Sequence, residues 1–406
     1  MSRSTLNSQE RRASLSLAAI FALRMLGLFM ILPVFAIYAE GLQGVTPVTV
    51  GLAISAYGFS QAILQIPFGL LSDRFGRKPV IAFGLLLFAA GSVVAALATT
   101  IEGVIAGRLL QGSGAIAAAV MALAADLTRD TVRTRVMASI GASIGFAFLI
   151  ALVAGPLLAG WVGVSGIFWL TAVLALAGIG VLYLAVPAPV RESVHAESEP
   201  VPAMFGKVLR DGQLLRMDAG IFILHMVLTA VFVAVPLLLR DTTGLVPSHH
   251  GLFYLGVMVC AIAIMVPAII VGERRGLVLQ LLRGAVLLLA VALLLIWSGR
   301  EALWSVALAM VLFFAAFNIL EASLPAIISR LAGPSVKGTA MGVYSSSHFL
   351  GAFVGGAAGG WLYSQAGAGA VLGFCAIMAA LWFVLTLGLE LPFSKPAAVP
   401  EEQAIS

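Results

Sequence analysis

The chain is a series of long apolar runs separated by short polar segments. Twelve of the runs are long enough to cross a bilayer as helices, since about 20 apolar residues span the hydrocarbon core. A spanning chain must satisfy its backbone groups internally, so the pattern predicts an all-α membrane protein with twelve transmembrane helices. We place the spans at residues 15–38, 47–72, 78–99, 103–126, 133–161, 165–187, 217–239, 248–271, 277–298, 302–329, 336–363 and 368–390.

The polar segments divide these spans into two sets of six. The longest polar segment, residues 188–216, contains several prolines and charges of both signs. We therefore predict an N-terminal bundle at 1–187, a cytoplasmic linker at 188–216, a C-terminal bundle at 217–390 and a disordered tail at 391–406. Within the linker, residues 203–216 are expected to form an amphipathic helix on the membrane surface.

The two halves resemble each other weakly. Shifted by 200 residues, the Gly, Gly and Trp of span 5 fall on the same residues of span 11, and a shift of 201 aligns part of span 1 with span 7. Parallel repeats of six spans predict two pseudo-symmetric bundles with a binding site between them. The aligned residues are Gly155, Gly160 and Trp161 with Gly355, Gly360 and Trp361, and Phe21, Leu23 and Met25 with Phe222, Leu224 and Met226.

The composition excludes a soluble protein. The chain of 406 residues is 61% hydrophobic and 10% charged, whereas soluble domains carry roughly 25% charged residues. The net charge of +5 comes from basic residues spread over short loops, so no nucleic-acid partner is expected. Cys260 and Cys375 lie in separate apolar runs and are interpreted as buried thiols, with no disulfide, metal site or cofactor.

Basic residues are distributed unevenly between the two sides of the membrane. Of 23 Lys and Arg residues, nineteen fall on the side that holds both predicted termini, two (Arg240 and Arg300) fall on the other side, and two (Arg24 and Arg108) fall inside spans. Positive charge marks cytoplasmic loops. The sequence therefore predicts that both termini are cytoplasmic, in a bacterial inner membrane.

The loop between spans 2 and 3 carries a dense pattern of glycines and charges, Gly69-Leu-Leu-Ser-Asp-Arg-Phe-Gly-Arg-Lys78. Asp73 is expected to face a neighbouring helix N-terminus, and Arg77 to pair with Asp126 at the end of span 4. The alternative is a generic positive-inside loop. The candidate residues of this cluster are Gly69, Asp73, Arg74, Gly76, Arg77, Lys78 and Asp126.

Several ionisable residues lie inside predicted spans. Arg24 is in the middle of span 1, and its candidate partners are Glu321 and Asn318 in span 10 and His225 in span 7. An intramembrane carboxylate can carry protons, because burial brings its protonation into the working range. Glu321 is thus the first candidate for proton coupling, with His225 and Arg24 next. The alternative interpretation is a buried polar network that holds helices together.

Other polar residues of the spans have two interpretations each. Arg108 in span 4 either faces a partner in the interior or extends its charge to the headgroups. His348 follows Tyr344 and three serines in span 11, and such a run either lines an aqueous cavity or packs with its hydroxyls bonded to the backbone. The cavity-lining candidates are Asn318, Tyr344 and His348.

The stretches RMLGLFMILPVFAIYA, FGLLSDRFGRKPVIAFG, GRLLQGSGAI and FNILEASLPAIISRLAG together resemble the YajR-like branch of the major facilitator superfamily, in its drug:proton antiporter group. The resemblance implies that the loop at 69–78 latches the two halves together on the cytoplasmic side, and that Arg108 is linked to proton transfer. Span 5 matches the family's glycine-rich antiporter motif in part, at Gly155, Pro156 and Gly160, and the alternative is ordinary packing of small residues. The best-known members of this branch carry a small soluble domain after span 12, which residues 391–406 are expected to be too few to form.

We therefore expect a monomeric, proton-coupled transporter that exports a small, hydrophobic compound by alternating access. The alternative is a symporter or uniporter that imports a small nutrient such as a sugar. A membrane-embedded enzyme would need a convergent catalytic set such as HExxH or GxSxG; HExxH does not occur, and the GxSxG spacing at residues 141–145 lies inside the apolar run of span 5.

Overall fold

The computed structural model describes residues 5–187 and 202–391, and the described chain is almost entirely helical. The predicted tail, apart from Leu391, and residues 188–201 of the predicted linker lie outside the described residues. The helices are α1 (Ser8–Phe29), α2 (Phe35–Tyr38), α3 (Pro47–Phe75), α4 (Arg77–Leu97), α5 (Ile101–Ser113), α6 (Ala117–Asp126), α7 (Asp130–Leu184), α8 (Pro202–Val208), α9 (Gly212–Asp241), α10 (His250–Arg274), α11 (Val278–Ser298), α12 (Leu303–Leu331) and α13 (Gly333–Leu387).

Ten helical segments of the described chain are long and apolar enough to cross a membrane, and two of them, in α7 and α13, have twice the usual length. α7 is interrupted at Gly163 (φ 67°) and α13 at Ala366 and Gly367 (φ 66° at the glycine). Only glycine adopts such a left-handed backbone readily, so these positions are turns between consecutive spans. They fall between predicted spans 5 and 6 and between spans 11 and 12, which is consistent with twelve passes.

Two predicted spans are broken where the sequence pattern indicated one helix. Span 1 is α1 followed by α2, because Pro33 lies between them and cannot continue a helix. Span 4 is α5 followed by α6, with a break at residues 114–116. At this break Gly114 packs so closely against the backbone of Gly84 that a Cβ would collide with it. The predicted helix at 203–216 is also two elements, since α8 ends at Val208 and α9 begins at Gly212.

Polar side chains set several helix starts. Asn7 and Glu10 form a capping box at the start of α1, and Thr46 caps α3. Asp211 caps α9 by accepting from the backbone N–H groups of residues 213 and 214. Each cap satisfies backbone donors that a helix leaves open at its N-terminus.

In each half, basic side chains donate hydrogen bonds to the carbonyl oxygens at the end of the last helix. In the first half, Arg12 of α1 donates to the carbonyl oxygens of Leu184 and Ala185, and Lys78 of α4 donates to that of Val186 at 2.6 Å. In the second half, Arg283 of α11 donates to the carbonyl oxygens of residues 386, 387 and 389. Basic groups at helix C-termini satisfy the last carbonyls, and their repetition here supports the predicted pseudo-symmetry.

The ends of the molecule are named here by their residues. The basic end contains residues 74–78 and Arg129, and the distal end contains Glu40 and Arg240. At the basic end, Arg129 donates to Glu10 from its Nε at 2.7 Å, and this carboxylate raises the pKa of the Arg129 guanidinium. The contact joins the start of α1 to the loop before α7.

The halves meet through α3 against α13 and α7 against α10. Toward the distal end, Gly51 of α3 packs against Gly356 and Gly360 of α13, with no room for a side chain at any of the three. Nearer the middle, Ser346 of α13 donates to the carbonyl oxygen of Ala62 at 3.1 Å. Small residues let membrane helices approach closely.

Large apolar side chains cover much of the outer surface. Trp161, Leu184 and Trp304 are each more than 70% exposed. Such exposure is unfavourable in water and expected for groups that face lipid. The molecule is thus an all-α membrane protein whose polar groups are concentrated inside it and at its two ends.

Candidate functional site

Three ionisable side chains from three helices of the second half meet inside the molecule. His225 lies on α9, Glu321 on α12 and His348 on α13. The Nε2 atom of His225 is 3.6 Å from Oε2 of Glu321, and the two imidazole rings stack with centroids 3.4 Å apart. Phe317 packs its ring edge-on against His225, at 5.8 Å between centroids. We call these three residues the acid–imidazole cluster.

The hydrogen bonds of the cluster orient its groups. Nδ1 of His225 lies 3.2 Å from the carbonyl oxygen of Ile221, one turn earlier in α9. This partner accepts the Nδ1 hydrogen, so a neutral His225 presents the lone pair of Nε2 toward Glu321. In the described part of the chain, Oε2 of Glu321 has no hydrogen-bond partner. A protonated Glu321 can therefore donate to Nε2, and an ionised one needs a cation or water beside it.

The members of the cluster differ in how much of each side chain is exposed. His225 is buried, at 6% exposure, whereas the Glu321 side chain is 39% exposed although it lies well inside α12. The Glu321 side chain thus borders a space between the helices, although its Oε2 atom, which faces His225, is shielded, as is the imidazole behind it. One proton can move between the two groups while the outer one remains accessible.

The same three residues bring possible metal ligands together. His225, Glu321 and His348 each offer one possible ligand atom, and these three atoms lie within 4.8 Å of one another. However, the rings are nearly parallel, at 23°, so both imidazole lone pairs cannot point at one tetrahedral ion without a ring rotation. The arrangement suits proton sharing better than metal coordination.

Arg24 has other partners than those predicted. It is buried in α1 at 1% exposure and donates to the Tyr57 hydroxyl, the Gln61 side-chain oxygen and the Gly114 carbonyl oxygen at 2.7 to 2.9 Å. The predicted pairing with Glu321, Asn318 or His225 is therefore wrong. The reason is packing, since α1 lies within the first half, where α3 and the break after α5 supply the acceptors.

Arg108 is also held inside the first half. Its guanidinium donates to the carbonyl oxygens of Ala53 and Ile54 at 3.2 and 3.0 Å and to Gln111 at 2.9 Å, and the residue is 3% exposed. Of the two sequence interpretations, the interior network fits these contacts and extension to the headgroups does not. The network ties α5 to α3.

The loop cluster at the basic end has the predicted ion pair. Nε of Arg77 lies 3.3 Å from Oδ2 of Asp126, and the same guanidinium pairs with Asp73 and donates to Ser72. Asp73 thus pairs with Arg77, the first residue of the neighbouring helix α4, and its expected interaction with the helix N-terminus itself stays a prediction. Gly76 has φ 90° and permits the tight reversal between α3 and α4.

The remaining loop residues are less engaged. Gly69 packs near Ala118 of α6, where a Cβ would be in tight contact at 3.4 Å. Arg74 is exposed, with its guanidinium over the ring of Phe75. The contacts described for this loop cluster, including the one from Lys78 to the end of α7, lie within the first half.

The predicted span 5 motif contributes packing between helices of the first half. Gly155 lies against the carbonyl oxygen of Met30, where a side chain would collide. Pro156 lies inside α7. Gly160 is exposed and has open space around its Cα. Gly155 therefore requires glycine for close approach, whereas Gly160 does not.

The other two cavity-lining candidates have different environments. Asn318 is partly exposed on α12, one turn before Glu321. Tyr344 is buried at 5% exposure, and its hydroxyl has no hydrogen-bond partner among the residues described. Tyr344 is thus a packed residue with an unsatisfied polar tip.

Two groups that the sequence analysis did not select stand out. Asp218 of α9 is a buried carboxylate at 5% exposure. It is the second residue of the predicted span at 217–239, and the sequence analysis assigned it no role. At the distal end, Arg240 of α9 forms a two-pronged ion pair with Glu40, with both N–O distances 2.7 Å. This pair joins the two halves, and nothing in the local sequence of either residue indicates the other.

Comparisons with known proteins agree with this architecture. The model of the Major Facilitator Superfamily matches residues 17–345 and 272–405. The inner membrane transport protein YajR of Escherichia coli strain K12 is 45% identical over 94% of this chain and 84% of its own length. Multidrug resistance protein 2 of Bacillus subtilis is 26% identical over 89% of this chain and 91% of its own length.

A solved structure shows the same fold at low sequence identity. The human organic anion transporter MFSD10 (TETRAN) superposes with a TM-score of 0.69 at 20% identity, covering 94% of this chain and all of that one. The overall fold of this chain is therefore shared by the structural neighbour.

Proposed function

The chain belongs to the major facilitator superfamily, and from that premise we propose that it is a proton-coupled exporter of small hydrophobic compounds. It is a membrane transporter and not an enzyme. Its family consists of transporters, and its named relatives are a transport protein and a multidrug resistance protein. The observation that carries the proposal is the acid–imidazole cluster, a carboxylate beside a buried imidazole in the interior of the membrane region. Intramembrane ionisable groups of this kind mark ion and proton pathways.

The proposed location is a bacterial inner membrane, with the basic end in the cytoplasm. The excess of Lys and Arg on the side of the termini supports this orientation, and one relative is named an inner membrane transport protein. The proposed working unit is a monomer.

The structure is interpreted as the state whose cavity opens toward the basic end. At the distal end the halves are held by the Glu40–Arg240 pair and by the packing of Gly51 against α13. Glu321 is partly exposed and lies 10 residues before the basic end of α12, which is about 15 Å along the helix. A cavity open to the cytoplasm accounts for both observations.

Transport then follows from where Glu321 holds its proton. In the outward-facing state the carboxylate takes a proton from the periplasm, and the neutral carboxyl can enter the closed interior at lower cost. In the inward-facing state the O–H bond breaks, the proton leaves to the cytoplasm, and the carboxylate is available for a cationic or polar part of the exported compound. A ligand shifts the equilibrium between two states only by its different affinity for them.

The class of exported compound is inferred from the relatives and the surroundings of the site. One relative is named a multidrug resistance protein. Aromatic rings surround the cluster, with Phe317 against His225 and Phe349 against His348. An apolar wall with one carboxylate suits lipophilic compounds, cationic ones in particular.

The test uses the purified chain in proteoliposomes that contain a pH-sensitive dye. The interior of the vesicles is made more acidic than the medium. Ethidium, tetraphenylphosphonium, a neutral lipophilic compound and glucose are then added in turn. We expect the lipophilic cations to dissipate the gradient and glucose to leave it intact. Uptake of glucose or another compound with no proton flux would overturn export and support the importer.

Arg77→Gln is expected to slow transport about three- to tenfold with little change in KM. It removes the pairs with Asp73 and Asp126, and these proposed latch groups set the balance between the two states and not the affinity of the site. The matched control is Arg135→Gln, an exposed arginine on the first turns of α7, which should remain within twofold of the wild type. Initial rates of efflux measure both, and an unchanged rate in Arg77→Gln would remove the latch from the mechanism.

A further inference from the structure

A second buried carboxylate lies outside the acid–imidazole cluster. Asp218 is 5% exposed, and within the described residues neither of its side-chain oxygens has a hydrogen-bond partner. Buried polar groups in proteins are almost always bonded to protein or to ordered water. The nearby cation in sequence, Arg216, places its guanidinium at Gly388, at the end of α13. Asp218 is therefore a group that water must reach or that must hold a proton.

Tyr344 lies on α13, the helix that packs along α9 and also contacts α12. Its buried hydroxyl has no hydrogen-bond partner among the described residues, as is also true of Glu321 Oε2. A tyrosine hydroxyl can donate one hydrogen bond while it accepts another. Three polar groups without hydrogen-bond partners among the described residues thus lie on helices of the second half that pack together.

The order of these groups along the helices points to the basic end. Asp218 precedes His225 by seven residues on α9, about two turns and about 10 Å. Tyr344 precedes His348 by four residues on α13, so Tyr344 and His348 lie on one face. Asp218 is near the start of α9, which begins at Gly212. By residue count, Tyr344 of α13 lies about level with Glu321 of α12 and one turn closer to the basic end than His348, and Asp218 is closer to that end than either.

We propose that Tyr344 and Asp218, bridged by water, form the path by which the proton of Glu321 leaves toward the cytoplasm. This inference rests on the proposed proton coupling. The O–H bond of neutral Glu321 breaks, and the Tyr344 oxygen or a water accepts that proton. The accepting group gives up its previous proton in the same step, and an O–H bond forms on the Asp218 carboxylate. Asp218 then loses the proton to cytoplasmic water, so one proton moves and each bridging group is restored.

Other titratable groups near the path have separate roles. His225 and His348 flank Glu321 from α9 and α13, and they can share its proton without carrying it to the basic end. The path needs a group between the histidines and the basic end, and Asp218 is the buried carboxylate in that position. Its removal should slow proton release from Glu321 without removing the Glu321 proton itself.

The experiment uses time-resolved infrared spectroscopy on the full chain in lipid, with a jump from acid to neutral pH and the proton as the probe. The carbonyl band of protonated Glu321 is assigned by its absence in Glu321→Gln. We expect its decay to be at least tenfold slower in Asp218→Asn and at least threefold slower in Tyr344→Phe. Asp218→Glu keeps the carboxyl group and should restore more than half of the wild-type rate.

The control is Asp211→Asn, the same change at the exposed N-cap of α9, where asparagine caps equally well. It should decay at the wild-type rate. Decay within twofold of the wild type in both Asp218→Asn and Tyr344→Phe would overturn the path and leave proton coupling standing. If the wild type shows no Glu321 band that responds to pH, the proposed coupling itself fails, and the path fails with it.

Discussion

Glu321→Gln is expected to abolish proton-coupled transport, with a fall of at least tenfold in the proton flux that an exported compound produces. Glutamine has nearly the shape of the protonated acid and can still donate to Nε2 of His225, which lies 3.6 Å from the carboxylate. It cannot release a proton, so the site stays in its neutral form. Exchange of labelled for unlabelled compound across the membrane, which needs no net proton movement, should persist.

The measurement is dye-reported proton flux in proteoliposomes, with tetraphenylphosphonium as the exported compound. The matched control is Glu301→Gln, an exposed carboxylate in the loop before α12, which should transport as the wild type does. Flux that survives in Glu321→Gln would keep antiport and move the proton site elsewhere, with His225 or Asp126 examined next. Loss of both flux and exchange would indicate that Glu321 binds the compound and is not specific to the proton.

Much of this architecture is predictable from sequence because lipid imposes simple constraints. Spans must be about 20 apolar residues long, so their number and approximate bounds follow from hydropathy. The turns at Gly163 and Gly367 fall where the polar pattern placed them. The Arg77–Asp126 pair was also predicted, because each residue lies at the end of its span on the same side of the membrane.

The interior of the site is harder to predict, since hydropathy does not determine which helix faces meet. Arg24 was assigned partners in α9 and α12, whereas packing gives it acceptors in α3 and at the break after α5. That break comes from the close approach of Gly114 to Gly84, which no local pattern reveals. Proline at residue 33 is the one signal that could have split span 1 correctly.

Asp218 illustrates a different limit. A carboxylate at the edge of an apolar run resembles an interfacial residue, and one sequence does not distinguish it from a buried one. The observed helix begins five residues before the predicted span, at Gly212 instead of 217. This extension carries Asp218 inside the bundle. The position of a span boundary, which hydropathy places only to within about a turn, thus decides whether an ionisable residue near it is read as exposed or buried.

The ion pair at the distal end joins residues 200 positions apart in the sequence. Whether the two halves separate there during transport can be tested by linking the two positions covalently. Glu40 and Arg240 connect the halves through two N–O contacts of 2.7 Å, in addition to the pair of Arg240 with its neighbour Asp241. Surface ion pairs contribute only about 0–1 kcal/mol each. This pair can therefore favour the closed distal end and still open in every transport cycle.

Tethering these two positions is expected to stop transport almost completely. With Cys260 and Cys375 replaced by alanine, Glu40→Cys and Arg240→Cys are joined by a flexible bis-methanethiosulfonate linker about as long as the two removed side chains. Alternating access requires the distal end to separate, so efflux should fall at least tenfold and recover when a thiol reductant releases the linker. Each single cysteine treated with the same reagent should transport within twofold of its untreated form. Full activity in the tethered protein would mean that the halves do not part at this end, because a covalent link, unlike the ion pair, cannot open during the cycle.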